Sequence, residues 1–161
     1  MQRVLREILG GNFEGVAPQR TRHMQSIRST GNRSTERRLR GLLIQAKVRG
    51  WTVHPKDVPG TPEFAFRAEK VAVFTDGCFW HGCPRCGKSP RTNASYWSKK
   101  IQLNVERDRK DEAALRARGF RFIRLWEHEI REGPADCVRR IVALLAPPHP
   151  RRKGGRRVIP S

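Results

Sequence analysis

The segment FTDGCFWHGCPRCG, residues 74–87, constrains this chain more than any other. It holds Cys78, Cys83 and Cys86, three of the four cysteines, with Phe79, Trp80 and His81 directly after the first. Cys83 and Cys86 form a C-x-x-C pair, and Cys78 precedes it by one short loop. Thiolates at this spacing can reach one tetrahedral ion. A fourth ligand is needed, and the candidates are His81, His128 and Cys137. His128 is expected to end a strand beside the strand that leads into Cys78, which would bring it to the loop. Cys137 falls in an amphipathic helical pattern, where a cysteine is most often a small buried apolar residue. The competing reading is free thiols or a redox C-x-x-C. A closed Cys3His zinc site has no open position for substrate, so its role would be structural. It would hold the loop and leave the aromatics and a non-ligating His81 for other work.

The charge balance points to partners. Lys and Arg number 34 against 15 Asp and Glu, a net charge of +19 and a pI near 11.4. Such a chain most often meets phosphate polyanions, with nucleic acid first and a membrane surface second. No apolar stretch approaches the roughly 18 residues of a spanning helix. The start, MQRVLREILGGNFEG, breaks its apolar run with charges and makes a poor secretion signal. The expectation is an intracellular protein, where structural disulfides are rare and clustered cysteines read first as metal ligands. A length of 161 residues fits one domain with a modest core.

The pattern along the chain predicts α/β organisation. Residues 1–19 lack sustained periodicity and read as a flexible leader. RTRHMQSIRSTGNRS, 20–34, is a basic arm with two apolar points, Met24 and Ile27; its bland reading is a solvated linker. From Thr35 the spacing of Leu39, Leu42, Leu43 and Ala46 predicts a helix that ends before Gly50. Strands are expected at 51–55, 63–68 and 71–76, with a Pro/Gly turn segment at 57–62. The run VAVFTD has the near-continuous apolar character of a buried strand. A long charged helix is expected from Ser95 to before Gly119, then a strand at 120–130 and a helix at 134–146. The Pro-, Gly- and Arg-rich tail, 147–161, reads as disordered. The order α-β-β-β-α-β-α predicts a mixed sheet covered by helices.

FTDGCFWHGC, YWSKKIQLNVERDRKD and FIRLWEHEI together resemble the very-short-patch mismatch repair (Vsr) endonucleases, as does the arm RTRHMQSIRSTGNRSTERRL. The resemblance spans about residues 20–132. It implies a restriction-endonuclease-like mixed sheet flanked by helices, with one structural zinc site in a domain of residues 20–146. The implied activity is a Mg²⁺-dependent nick in one strand, 5′ to the T of a T:G mismatch left by deamination of 5-methylcytosine. By position, Cys78, Cys83, Cys86 and His128 match the zinc ligands. Glu63 matches the magnesium-binding carboxylate, Thr75 a carbonyl ligand to that ion, and His81 the general base. Glu36 and Asp108 match supporting acids. Phe79, Trp80 and Trp97 match wedges into the base stack, and Met24 and Ile27 match apolar points on the arm that closes over DNA. The family usually has Asp where this chain has Glu63. At Asp76 some members carry histidine; here the acid would add a magnesium ligand or hydrogen-bond His81. The implied partners are duplex DNA and other mismatch-repair proteins, for a monomer acting at the nucleoid in the bacterial cytoplasm.

The residues support this chemistry in their own right. Phosphodiester cleavage needs charge neutralisation at phosphorus and an activated water. Hard magnesium favours carboxylate and carbonyl oxygen. Glu63 begins one expected strand and Thr75-Asp76 ends the next, so antiparallel pairing brings them together. His81 supplies an imidazole, a side chain suited to accept a proton from water. Inserted apolar side chains can unstack a base step for a few kcal/mol. Arg20, Arg22, Lys99 and Lys100 suit backbone contact, and Trp97 beside the two lysines adds a stacking surface. Two other readings share much of this: a non-catalytic zinc module that binds nucleic acid, and a restriction-like nuclease of other specificity. Neither Glu63 nor His81 is needed by the first; cutting of perfectly paired DNA would mark the second.

Overall fold

The computed structural model of the chain describes residues 33–87 and 94–147. The leader, nearly all of the arm with Arg20, Arg22, Met24 and Ile27, and the tail from 148 onward lie outside the described residues. Helix α1 (Arg33–Gln45) is followed by β1 (Trp51–Val53), β2 (Phe64–Phe66) and β3 (Val71–Asp76). Then come the long α2 (Ala94–Ala117), β4 (Arg121–Trp126), the short α3 (Glu127–Glu132) and α4 (Pro134–Leu145).

The four strands form one sheet in the order β1-β2-β3-β4. β1, β2 and β3 run antiparallel in turn, whereas β4 is parallel to β3. A parallel pair needs a crossover, and α2 supplies it. All six residues of β3 are buried, as its apolar run predicts. Side chains of a strand alternate between faces, and β3 divides accordingly. Val71 and Val73 join Leu39 and Leu43 of α1, Ile130 of α3 and Ile141 of α4 in one core. Ala72 and Phe74 join Val58 and Leu115 of α2 in a second. Truncating a fully buried leucine such as Leu39 to alanine should cost about 2–5 kcal/mol. The sheet is therefore held from both faces, with the end of β3 and the start of β2 fixed between the layers.

One expected element differs in kind. The strand expected over 120–130 stops at Trp126, and residues 127–130 open α3 instead. β4 has partners only as far as the Asp76–Trp126 pair, where β3 ends. The freed Trp126 N–H donates to Glu129 Oε2 at 2.8 Å, a capping contact that starts the helix. β1 and β2 are also shorter than expected, β2 starting at Phe64 rather than Glu63. Arg67 and Ala68 join Glu69 and Lys70 in the turn between β2 and β3, with Lys70 at φ 50°.

Candidate active site and metal centre

β3 delivers Thr75 and Asp76 to one end of the sheet, and the cysteine loop begins at once. Its backbone folds on itself: Trp80 and His81 N–H donate to Gly77 O, Cys83 N–H to Cys78 O, and Gly87 N–H to Cys83 O. Gly87 has to be glycine, because a Cβ there would stand 2.6 Å from the Cys83 oxygen. Gly82 takes φ 64°, the left-handed region that glycine enters at little cost.

The ligand atoms of Cys78, Cys83, Cys86 and His128 all lie within 4.8 Å of one another. His128 Nδ1 is 3.2 Å from Cys78 Sγ, 3.7 Å from Cys83 Sγ and 3.4 Å from Cys86 Sγ, and Cys83 and Cys86 are 3.6 Å apart. Tetrahedral zinc with Zn–S near 2.3 Å and Zn–N near 2.0 Å sets ligand separations of about 3.5–3.8 Å. This Cys3His set could hold zinc. Burial, then the neighbouring thiols, push the Cys78 thiol up to about 12 in the absence of a cation. His128 reaches the loop from the first turn of α3 rather than from a strand end. Cys137 is buried in the apolar core, and His81 faces away from the cluster toward α2.

His81 Nδ1–H donates to Asp108 Oδ2 at 2.6 Å, with Asp76 Oδ1 farther off at 3.9 Å. In the neutral ring this leaves Nε2 as the acceptor. Burial pushes the Asp108 carboxyl up, but His81 and then Arg124 outweigh it and hold the group below its ordinary value. The charged stretch of α2 that reads as a plain solvated helix face thus turns Asp108 inward.

Glu63 is only 8% exposed and its Oε2 accepts the Thr75 N–H at 2.8 Å. The antiparallel pairing of β2 and β3 brings the two together as expected. Burial raises the Glu63 carboxyl above its usual range, partly offset by Thr75 N–H. The Thr75 hydroxyl is buried without a hydrogen-bond partner among the described residues. A buried carboxylate beside an orphaned hydroxyl and a strand-end carbonyl is an oxygen donor set that suits a hard divalent cation. Glu36 sits apart from His81, in the first turn of α1, where its Oε1 lies 3.1 Å from His54 Nε2.

The aromatics form a stack of edge contacts. Phe79 lies 4.9 Å from Trp80 and 5.3 Å from Trp97, and Trp97 also meets Tyr96 at 5.1 Å between ring centroids. Phe79 and Trp80 are half-buried, so both keep an open edge. Trp97, expected as a third wedge, is buried with 4% exposure and backs the other two. Lys100 Nζ stands over the Trp80 ring at 5.3 Å, while Lys99 is exposed. Asn104 ties the loop to α2, its Nδ2 donating to Trp80 O at 2.9 Å.

Three site residues escape sequence reasoning: Arg124, Asn104 and His54. Arg124 occupies the α2-facing side of β4 between Phe122 and Trp126, a lone charge at an apolar position of a strand. That mismatch is the available signal. His54 adopts φ 45°, and its N–H donates to Glu63 O, which nothing in the pattern WTVHP announces.

The chain matches the family described as DNA mismatch endonuclease Vsr over residues 16–87. It is 44% identical over 134 residues to the type II nicking enzyme V.NaeI of Lentzea aerocolonigenes, covering 78% of this chain and 76% of that protein. It is 42% identical over 118 residues to the type II nicking enzyme V.XorIIP of Xanthomonas oryzae pv. oryzae, covering 71% and 85%. Against the DNA mismatch endonuclease Vsr of Escherichia coli, identity is 36% over 114 residues, covering 70% and 71%. With three such relatives spanning most of their own lengths, the chain belongs to the Vsr family of DNA mismatch endonucleases.

Proposed function

We propose that this chain is a magnesium-dependent, strand-nicking DNA endonuclease that cuts 5′ to the T of T:G mismatches, on a restriction-endonuclease-like fold. The observation that carries the reading is the 2.6 Å contact between Asp108 and His81 on a Cys3His-anchored loop whose parent strand also binds Glu63. The relatives named nicking enzymes and mismatch endonuclease support the same reaction class. The mixed sheet with helices on both faces supports the fold assignment.

In this reading Asp108 holds the imidazole through Nδ1, and Nε2 takes a proton from the attacking water. The water oxygen bonds to phosphorus as the bond to the leaving sugar oxygen breaks. Glu63 and the Thr75 carbonyl would hold magnesium, which when bound supplies charge neutralisation at the phosphate. Phe79 and Trp80 press against the base stack, with Trp97 behind them. A wobble pair yields to such a wedge more cheaply than a Watson–Crick pair. Lys99 and Lys100 meet the phosphates, as would Arg20 and Arg22 of the arm, with Met24 and Ile27 as its apolar points. A zinc-held loop lets ring and imidazole act on one step together. Glu36 and Asp108 act as supporting acids, with Asp76 beside the pair that Asp108 makes with His81, and the working unit is a monomer in the cytoplasm, on duplex DNA.

The test is incubation of a T:G duplex with Mg²⁺ and denaturing electrophoresis across a panel of mismatches and flanking sequences. A single nick 5′ to the T, absent in His81→Ala, is the expected result. Tight binding without cleavage under any divalent ion would reject the catalytic reading, and cutting of fully paired DNA would reject the mismatch specificity.

A further inference from the structure

The charged cluster behind His81 contains a residue with no part in the steps above. Arg124 stands in mid-β4 with 18% of its side chain exposed. Its Nε donates to Asp76 Oδ2 at 2.5 Å and its Nη2 to Asp76 Oδ1 at 2.8 Å. The same Nη2 lies 3.1 Å from Asp108 Oδ2, the oxygen that accepts the His81 Nδ1–H. Nη1 is 3.7 Å from Glu112, and the guanidinium lies over the Phe74 ring at 5.0 Å. A planar fork wedged between an aromatic face and three carboxylates has little freedom to move.

Two carboxylates face one imidazole proton. Asp76 and Asp108 both lie within 4 Å of His81 Nδ1, and only one can take its hydrogen. We infer that Arg124 is the positioning residue that decides between them. Its bidentate grip engages both Asp76 oxygens, and its Nη2 fixes the Asp108 oxygen that faces His81. Asp108 is thereby committed to Nδ1, and Nε2 stays turned to the substrate side. The grip also withholds Asp76 from the cation that Glu63 and Thr75 would hold. The sequence leaves Asp76 either to ligate magnesium or to hydrogen-bond His81; Arg124 diverts it from both.

A simple counter-ion role makes a different demand. An ammonium group can neutralise Asp76, but as a single point charge it cannot bond both Asp76 oxygens and Asp108 in fixed directions. Arg124→Lys therefore separates charge from geometry, and it keeps the buried carboxylates compensated so that the chain folds.

The inference rests on the nicking reading for its rate measurement and on a second readout that is independent of it. The full chain and its Arg124→Lys and Arg124→Met variants are compared by thermal melting, duplex affinity, single-turnover nicking of a T:G duplex, and proton NMR of the free protein. Arg124→Lys should melt close to wild type and bind duplex within about threefold, because Arg124 lies behind the loop. Its single-turnover rate should fall about 30-fold, a large share of the 10²–10⁴ that a positioned base contributes. The downfield His81 Nδ1–H resonance of a short hydrogen bond to Asp108 should weaken or vanish in both variants. If Arg124→Met fails to fold, the lysine variant decides alone. A lysine variant that keeps both the wild-type rate and the resonance would overturn the inference. Should the wild-type chain nick no duplex, the functional reading fails, and the resonance still decides the positioning role: its loss in Arg124→Lys supports it and its persistence refutes it.

Discussion

Glu63→Gln should leave the protein at least as stable as wild type near pH 7 while removing its activity. The side chain is 8% exposed, and burial raises its carboxyl above the ordinary range. For an acid with a raised folded pKa, ionisation costs stability, and that loss grows as pH climbs past its unfolded value of 4.5. Glutamine carries no such charge, yet its amide oxygen can still accept the Thr75 N–H that now donates at 2.8 Å. Glu63→Ala also lacks the charge but strands that buried N–H. The alanine variant should therefore lie about 1–3 kcal/mol below the glutamine variant, the cost of an unmade buried hydrogen bond. At about 4 °C per kcal/mol for a domain of this size, thermal melting near pH 7 resolves the two. Single-turnover nicking with Mg²⁺ should fall at least about 100-fold in both, as expected when one electrostatic element of a hydrolytic site is lost. Glutamine melting below wild type would refute the argument that Glu63 is held there at a cost in stability, and glutamine melting as low as alanine would refute the weight given to the Thr75 bond. Wild-type nicking by Glu63→Gln would refute its role.

The purified chain should carry one zinc by atomic emission; Cys83→Ala should lose it along with at least about 100-fold in nicking, yet keep most of its far-UV signal, since neither core cluster includes the loop. Zinc-free protein with full activity would contradict the ligand assignment. Trp80→Ala should lower the T:G over T:A rate ratio about tenfold, consistent with the ~1–3 kcal/mol of one base–aromatic contact; an unchanged ratio removes it from discrimination. Asp57, held by Arg67 down to about 2 from 3.8, favours the folded state above pH 3.8 and loses that contribution as pH falls toward 2. Asp57→Asn should flatten that stretch of the acid-stability curve and leave the profile near pH 7 unchanged, read by chemical denaturation at each pH.

Much of the site is legible because local chemistry and local sequence coincide. The buried run VAVFTD, the spacing of Cys78, Cys83 and Cys86, and the meeting of Glu63 with Thr75 all stem from strand periodicity and ligand spacing. Strand periodicity places His128 near the loop for a partly wrong reason. The residue arrives on a helix because β4 runs out of partner at Asp76 and Glu129 caps α3 there. The roles of Arg124, Asn104 and His54 are illegible because they exist only across elements, even though a charge at an apolar position of β4 marks Arg124 out. Arg124 joins β4 to β3 and α2, Asn104 ties α2 to the loop, and His54 joins the β1 end to α1 and the start of β2. Trp97 shows the converse: an aromatic beside two lysines looks like a stacking surface, and only packing reveals that Phe79, Trp80 and Tyr96 cover it.

One pinned loop should bring rings to the base stack and an imidazole to the phosphate at the same step. A T:G duplex with 2-aminopurine beside the mismatch tests this, with fluorescence and strand cleavage followed in one single-turnover reaction. A fluorescence rise that precedes the nick is predicted for the wild-type chain, with the rise alone in His81→Ala and both signals reduced together in Trp80→Ala. Cleavage at full rate with no fluorescence change would contradict the claim.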